Sequence, residues 1–170
     1  VNDAPVANGQ SVSTAEDTAK AITLLGTDAD GNNLTYSVAS QPAHGTLSGS
    51  APNVTYTPAT NYNGTDSFTF KVNDGTVDSA PAIVSIDCTP VNDAPVANPQ
   101  QVVTTENVAL SITLTGSDIE GTSLIFSVTS GPSNGTLTGS GATLLYTPNA
   151  NFEGEDSFTF TANDGDLTSA

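Results

Sequence analysis

Asp28 and Asp30 stand two residues apart in Asp-Ala-Asp-Gly, and Asp118 and Glu120 repeat that spacing in Asp-Ile-Glu-Gly. Paired carboxylates of this kind suit two chemistries: acid and base work across a scissile glycosidic bond, or capture of a hard cation. Further oxygen donors surround them in sequence: Asn2, Asp3 and Asp74 on one side, Asn92, Asp93 and Asp164 on the other, with Glu16, Asp66 and Asp87 between. Catalysis needs a cleft walled by apolar side chains, whereas these acids occur in duplicate and fall in turn-forming stretches. No phosphate-cradling glycine loop or serine–histidine–acid set accompanies them, so an enzyme is not expected. Hard oxygen ligands converging from flexible loops, six to eight to an ion, are what Ca²⁺ takes. Calcium is therefore the expected cofactor.

The elements that must position these residues come in two copies. "VNDAPVAN" at Val1–Asn8 returns at Val91–Asn98, and a shift of 90 positions aligns everything that follows without a gap. "YTP" at Tyr56 meets "YTP" at Tyr146, and "DSFTF" at Asp66 meets "DSFTF" at Asp156. A repeat at fixed period governs the architecture. Residues 1–90 form one domain and 91–170 a second. Ala170 corresponds to Ala80, so the second copy carries no counterpart of "PAIVSIDCTP", Pro81–Pro90. That points to a piece of a longer array.

Short runs of Thr, Val, Ser and aromatic residues, broken by Gly, Asn, Asp and Pro, predict strands and turns throughout. Seven are expected in the first copy: 6–12, 21–25, 34–40, 45–48, 53–57, 67–73 and 82–88. Period-two alternation turns Ile22, Leu24, Leu34, Tyr36, Val38, Val54, Tyr56, Phe68, Phe70, Val72, Val84, Ile86 and Cys88 inward. Seven short antiparallel strands in about ninety residues predict an all-β, immunoglobulin-like Greek-key sandwich in each copy, the second lacking its last strand.

If successive strands reverse, the loops after the second, fourth and sixth strands lie at the pole where the chain begins. The loops after the first, third and fifth lie at the pole where it leaves. Asp28, Asp30 and Asp74 fall at the leading pole of the first copy, and Glu16, Asp66 and Asp87 at its trailing pole. Asp118, Glu120 and Asp164 fall at the leading pole of the second. Across Pro90–Pro95 the trailing acids of one copy would then approach the leading acids of the next, with Asn92 and Asp93 between them. Like charges a few ångströms apart repel by about 1–4 kcal/mol per pair, which a calcium ion would reverse. Pro95 stiffens the chain as it leaves this linker.

The composition narrows the partners. Eighteen acidic residues against two basic ones give a net charge of −16, which repels nucleic acid and anionic membranes and attracts cations. No apolar run reaches membrane-spanning length, so no membrane insertion is expected. One cysteine excludes a disulfide framework, and Cys88 alternates into the core as a small hydrophobe. Asp66 and Asp156 have a second role open to them, satisfying loop amides at the start of a strand. Asp78, Glu155 and Asp166 read as solvated, and His44 as a residue of an exposed turn.

With these residues in view, the chain resembles the cadherin-like immunoglobulin repeats of large bacterial adhesins and other secreted multidomain proteins. "AEDTAKAITLLGTDADGNNLTYSV", Ala15–Val38, is similar to the cadherin stretch carrying a base glutamate and then an Asp-x-Asp pair. "VNDG" at Val72 resembles the segment bearing the late cadherin Asp, and "VNDAP" a shortened cadherin linker. The resemblance implies that Glu16, Asn92, Asp93, Asp118, Glu120 and Asp164 hold calcium at the junction. Asn2, Asp3, Asp28, Asp30 and Asp74 would form the matching half-site toward an upstream domain. The cadherin Asp-Arg-Glu motif is absent, Asn61 and Asp66 being the nearest donors, and Pro90 replaces the first linker Asp; fewer ions per junction follow. The implied function is that of calcium-rigidified spacer repeats, on a bacterial surface or secreted, with neighbouring repeats as partners. The alternative is a carbohydrate-binding or homophilic adhesion module, whose partner would be polysaccharide or another cell-surface protein.

Overall fold

The computed structural model describes residues 2–170; Val1, where the first copy opens, lies outside the described residues. The chain divides into two compact units, Val1–Val91 and Asn92–Ala170. Every regular element among the described residues is a β-strand.

The first unit contains β1 (Val6–Asn8), β2 (Gln10–Ala15), β3 (Lys20–Thr23), β4 (Leu25–Thr27), β5 (Thr35–Ser40), β6 (Gly45–Ser50), β7 (Asn53–Pro58), β8 (Gly64–Asn73) and β9 (Ala82–Thr89). Strands β2-β9-β8-β5 form one sheet and β3-β7-β6 the other, with β1 paired to β4. All pairings are antiparallel except β2 with β9, which runs parallel from Gln10↔Val84 to Ala15↔Thr89.

Two expected strands are each broken in two. The first changes partner at Gly9, from β4 to β9. A Cβ on Gly9 would stand 2.9 Å from the Ile83 carbonyl oxygen, so only glycine lets the crossing chain pass this close. The second breaks at Leu24, whose N–H leaves the ladder to donate to the Pro52 carbonyl at 2.8 Å. Strand β8 also starts three residues earlier than expected, at Gly64, because β9 pairs with it from Gly64↔Cys88 onward.

Alternation fills the space between the sheets. Along β9, Val84, Ile86 and Cys88 are buried while Ile83, Ser85 and Asp87 face out. They meet Ile22, Leu24, Val54, Tyr56, Phe68, Phe70 and Val72, all buried, and Leu34, Tyr36 and Val38 pack around the rim. Burying each large side chain contributes roughly 1.5–3 kcal/mol. Cys88 is a packed apolar residue, with its Sγ 3.8 Å from the Tyr56 hydroxyl.

The second unit contains β10 (Val96–Ala97), β11 (Leu110–Thr113), β12 (Gly116–Ser117), β13 (Ile125–Ser130), β14 (Gly135–Ser140), β15 (Thr143–Pro148) and β16 (Thr159–Asn163). Its sheets are β11-β15-β14 and β13-β16, with β10 paired to β12. Within residues 92–170 no strand pairs as β9 does, and the two stretches that flank β9 in the first unit are less regular here. Residues 100–105, which correspond to β2, form no strand, and β16 begins at Thr159, five positions later than the counterpart of the β8 start. Buried hydrophobic residues fall from ten to four, Ile112, Leu114, Leu144 and Ala162. Phe158 and Phe160 are only partly covered.

Candidate metal centre

The leading pole of the first unit is built by three chain segments. Asp28 opens a turn in which its Oδ1 accepts the N–H groups of Asp30 and Asn32, both at 3.0 Å. Gly31, at φ +75°, supplies the left-handed residue that this turn requires. Asp74 opens the loop after β8, its Oδ1 accepting from the N–H groups of Thr76 at 2.6 Å and Val77 at 2.7 Å. The N-terminal segment then lies across both turns. The Asn2 amide donates to Asp74 Oδ2 at 2.8 Å, and the Asp3 N–H donates to Asp30 Oδ2 at 2.8 Å. Asn32 closes the network by donating to Asn2 Oδ1 at 3.1 Å. Sequence reading passed over Asn32; its place four residues after Asp28, at the end of the same turn, is the signal that could have found it.

The second unit repeats the arrangement. The Asn92 amide donates to Asp164 Oδ2 at 2.8 Å, the Asp93 N–H donates to Glu120 Oε2 at 3.3 Å, and Asp118 Oδ1 accepts the Thr122 N–H at 2.9 Å. Gly121 has φ +73°. Asn2, Asp3, Asp28, Asp30 and Asp74 thus gather in one unit, and Asn92, Asp93, Asp118, Glu120 and Asp164 in the other.

Hydrogen bonds keep two of these acids ionised. The Val77 N–H, and after it the Asn2 amide, lower the Asp74 pKa below the ordinary carboxylate value. The Leu167 N–H and then the Asn92 amide do the same for Asp164. Three oxygens are left without a partner: Asp28 Oδ2, Asp93 Oδ2 and Asp118 Oδ2 are each buried and accept no hydrogen bond. A buried, unsatisfied acceptor costs about 1–3 kcal/mol, and more when charged, so each orphaned oxygen asks for a bound ion or an ordered water. Donor type and orphaned oxygens fit a hard cation. No preassembled cage exists: among the described residues no three Asp, Glu, His or Cys side chains are grouped closely enough to hold a metal on their own. Asn amides and backbone N–H groups stand between the acids.

The trailing acids of the first unit divide into three cases. Glu16 is buried; its Oε1 accepts the Val91 N–H at 2.6 Å and its Oε2 the Asn63 amide at 3.5 Å. Asp66 needs a correction. It lies within β8 rather than in a loop, and both its oxygens are taken. Oδ1 accepts from the N–H groups of Ala43 and Ser67, and Oδ2 from the His44 N–H and the Tyr56 hydroxyl, all at 2.8–2.9 Å. Burial acts to raise its pKa, and those bonds outweigh it, leaving the carboxyl below its ordinary value. Asp66 anchors a loop to the core, and Asp156 does the same with Ser133, Asn134, Ser157 and Tyr146. Asp87 sits inside β9, as the expected strand 82–88 has it, on the exposed sheet face, with no hydrogen bond joining it to Glu16 or Asp66.

Elsewhere at this pole Asp17 and Asn61 both adopt positive φ, and the Asn61 N–H donates to Asp17 Oδ1 at 3.0 Å. His44 is exposed and lies flat on the Tyr62 ring, with centroids 4.2 Å apart.

Residues 2–87 and 92–170 each match the family model described as bacterial Ig domain. "Integrin beta-like protein A" of Dictyostelium discoideum is 37% identical over 140 residues; the match covers 70% of this chain and only 7% of that protein's length. Among solved structures, cadherin domains 3–6 of protocadherin gamma B2 align over 97% of this chain and 45% of theirs at 12% identity, with a TM-score of 0.53. That likeness is one of fold. The endo-fucoidan hydrolase MfFcnA4 of glycoside hydrolase family 107 aligns over 98% of this chain and 27% of its own at 26% identity. Its TM-score of 0.43 is too low to carry any catalytic role across.

Proposed function

Because this chain belongs to the bacterial Ig domain family, we propose that it serves as a pair of extender repeats in an adhesin-type surface or secreted protein, stiffened by Ca²⁺ at the leading pole of each repeat. The observation that carries this reading is the orphaned oxygen shared by both copies. Asp28 and Asp118 occupy equivalent positions, and each buries an Oδ2 with no partner. Burying a carboxylate oxygen without a partner is costly, and a bound cation would complete it.

In the first unit Asp28, Asp30 and Asp74 would supply carboxylate oxygens, with Asn2 and Asn32 contributing amide carbonyls. In the second, Asp118, Glu120, Asp93 and Asp164 would act with Asn92. The ion supplies positive charge between acids that otherwise repel. Asn2 and Asn92, whose amides already bridge to Asp74 and Asp164, are placed to draw the leading segment onto the site. Glu16 holds the other end of the linker through the Val91 N–H. Chelate formation would thereby convert a flexible segment into a fixed one, which is what a spacer requires. The partners in this reading are neighbouring repeats of the same polypeptide, and neither nucleic acid nor a lipid bilayer takes part. Catalysis does not, because Asp66, Asp74, Asp156 and Asp164 are engaged with backbone amides on turns and strand ends.

Calorimetric titration of the two-repeat chain with Ca²⁺ tests the reading. Saturable binding in the dissociation range of about 10⁻⁴ to 10⁻³ M is expected for an extracellular module, together with narrower small-angle scattering on calcium addition. Absence of heat, with scattering identical in calcium and in chelator, would refute it.

A further inference from the structure

Asn134 and Gly135 stand where the turn after β13 enters β14, at the positions that His44 and Gly45 hold in the first unit. Two main-chain bonds clamp that turn in both units. The Asn134 N–H donates to Asp156 Oδ2 at 2.9 Å and the Asn134 carbonyl accepts the Asn149 N–H at 2.8 Å, as His44 does with Asp66 and Ala59. The Asn134 side-chain amide has no hydrogen-bond partner among the described residues, and neither has the Gly135 N–H. The strand register explains the second absence. The Leu114 N–H donates to the Ala142 carbonyl at 2.7 Å, so the even-numbered residues of β15 turn their main-chain groups toward β11. Gly135 stands opposite one of these, Pro148, and β14 is the edge of its sheet, so the Gly135 N–H points away from the ladder. Packing fixes glycine here, since a Cβ would run into the Tyr146 ring.

We propose that Asn134 is a site of spontaneous modification, converting to aspartate and isoaspartate through a cyclic imide. The Gly135 main-chain nitrogen gives up its proton and attacks the carbonyl carbon of the Asn134 side chain. A new C–N bond forms, the bond to the side-chain nitrogen breaks, and ammonia leaves carrying the proton. Water then opens the ring at either carbonyl. A glycine nitrogen with no Cβ beside it and no acceptor holding its proton is suited to this attack. Asn63–Gly64, the other such pair whose glycine begins a strand, is guarded. The Glu16 N–H donates to the Thr89 carbonyl at 2.9 Å, which turns the odd-numbered residues of β9 toward β2 and Cys88 toward β8, opposite Gly64. The Gly64 N–H is thereby committed to the Cys88 carbonyl, and the Asn63 amide reaches Glu16 Oε2 at 3.5 Å. At Asn8–Gly9 the Ile83 backbone hems the glycine in. Conversion at Asn134 sets a new carboxylate beside Asp156, where like charges repel. The isoaspartate form also displaces the main-chain carbonyl that the Asn149 N–H uses. Both bonds of the clamp weaken, and the second unit loses stability.

The test is to age the two-repeat chain at mildly alkaline pH and follow each asparagine by peptide mapping, reading the gain of one mass unit and the labelling of isoaspartate by an isoaspartyl methyltransferase. In the folded chain Asn134 should convert at least about tenfold faster than Asn63, whose reaction must wait for the Cys88 bond to open. In denaturant the two should convert at like rates, because each is followed by glycine. The aged protein should melt at a lower temperature in its second unit only. Asn134→His, which installs the residue of the first unit, should keep the fresh melting temperature and abolish both the labelling at this position and the loss on ageing. Equal native rates at Asn63 and Asn134, or no conversion of Asn134 in a folded chain whose denatured form converts, overturns the proposal. So does a denatured-state difference as large as the native one, which would assign the selectivity to neighbouring residues instead of the fold. Ageing that converts Asn134 and leaves the second unit's melting unchanged would refute the role of the clamp.

Discussion

The Glu16 Oε1 atom accepts the Val91 N–H at 2.6 Å, joining the residue after β2 to the last residue of the first unit. The bond is charge-assisted and its acceptor side chain is buried, which places it among the stronger protein hydrogen bonds. Glu16→Ala should remove about 1.5–3 kcal/mol of local stability. Hydrogen exchange at the Val91 amide should then accelerate by at least about tenfold. Unchanged exchange would mean that the backbone holds this segment without the glutamate.

Asp66 makes a pH-dependent prediction. Its folded pKa lies below the unfolded carboxylate value of about 3.9. The ionised native form is therefore favoured, and the contribution is complete above the unfolded value. It is lost as pH falls from about 4 through the lower folded pKa. Acid unfolding of the first unit should begin in that window. Asp66→Asn should flatten this acid limb while lowering stability at neutral pH by about 3 kcal/mol, since amide and hydroxyl donors lose a charged acceptor. An unaltered acid limb in Asp66→Asn would assign the transition to Asp74 or another carboxylate.

For Asp118 the sign should depend on calcium. In chelator, Asp118→Asn exchanges an unpartnered buried carboxylate oxygen for a neutral group, so the second unit should melt at the same temperature or higher. With Ca²⁺ at ten times its dissociation constant, the wild-type chain should gain about 1.4 kcal/mol and the variant much less. A variant that destabilises equally in both conditions would make Asp118 a plain turn residue.

The two units should melt separately. Ten buried hydrophobic residues against four, with Tyr56 fully buried and Tyr146 only partly so, put the second unit at the lower temperature. Scanning calorimetry in chelator should show two transitions. Gly45→Ala, which would drive a Cβ into the Tyr56 ring, should move only the upper one. One coincident transition would show that the smaller core costs the second unit little.

Legibility differed between core and site. Strict alternation along 53–57, 67–73 and 82–88 exposed the inward face, because a strand side chain has only two directions to point. Breaks at Gly9 and Leu24 were hidden, since a chain can change partner without changing its alternation. Loop order alone brings Asp28, Asp30 and Asp74 to one pole, and the cadherin resemblance adds Asn2 and Asp3 to them. Asp66 misled for a different reason: a residue near a strand end is assigned to pole or sheet by pairing length, and β9 carries its neighbour's pairing as far as Gly64. Asn32 escaped notice because an amide in a turn looks like turn chemistry until its partner across the chain is seen.

The parallel alignment of β2 with β9 also decides how the first unit bears load. A pull along the polypeptide enters at the Gln10 end of that ladder and leaves at its Thr89 end. The six paired positions are then strained together, in sliding, and cannot peel apart one after another as a hairpin pulled from its open end would. Resistance of this kind is a rate property, set by the barrier to unfolding. The first unit should therefore yield only at high force in single-molecule stretching, and in one step rather than by gradual peeling of the β2–β9 ladder.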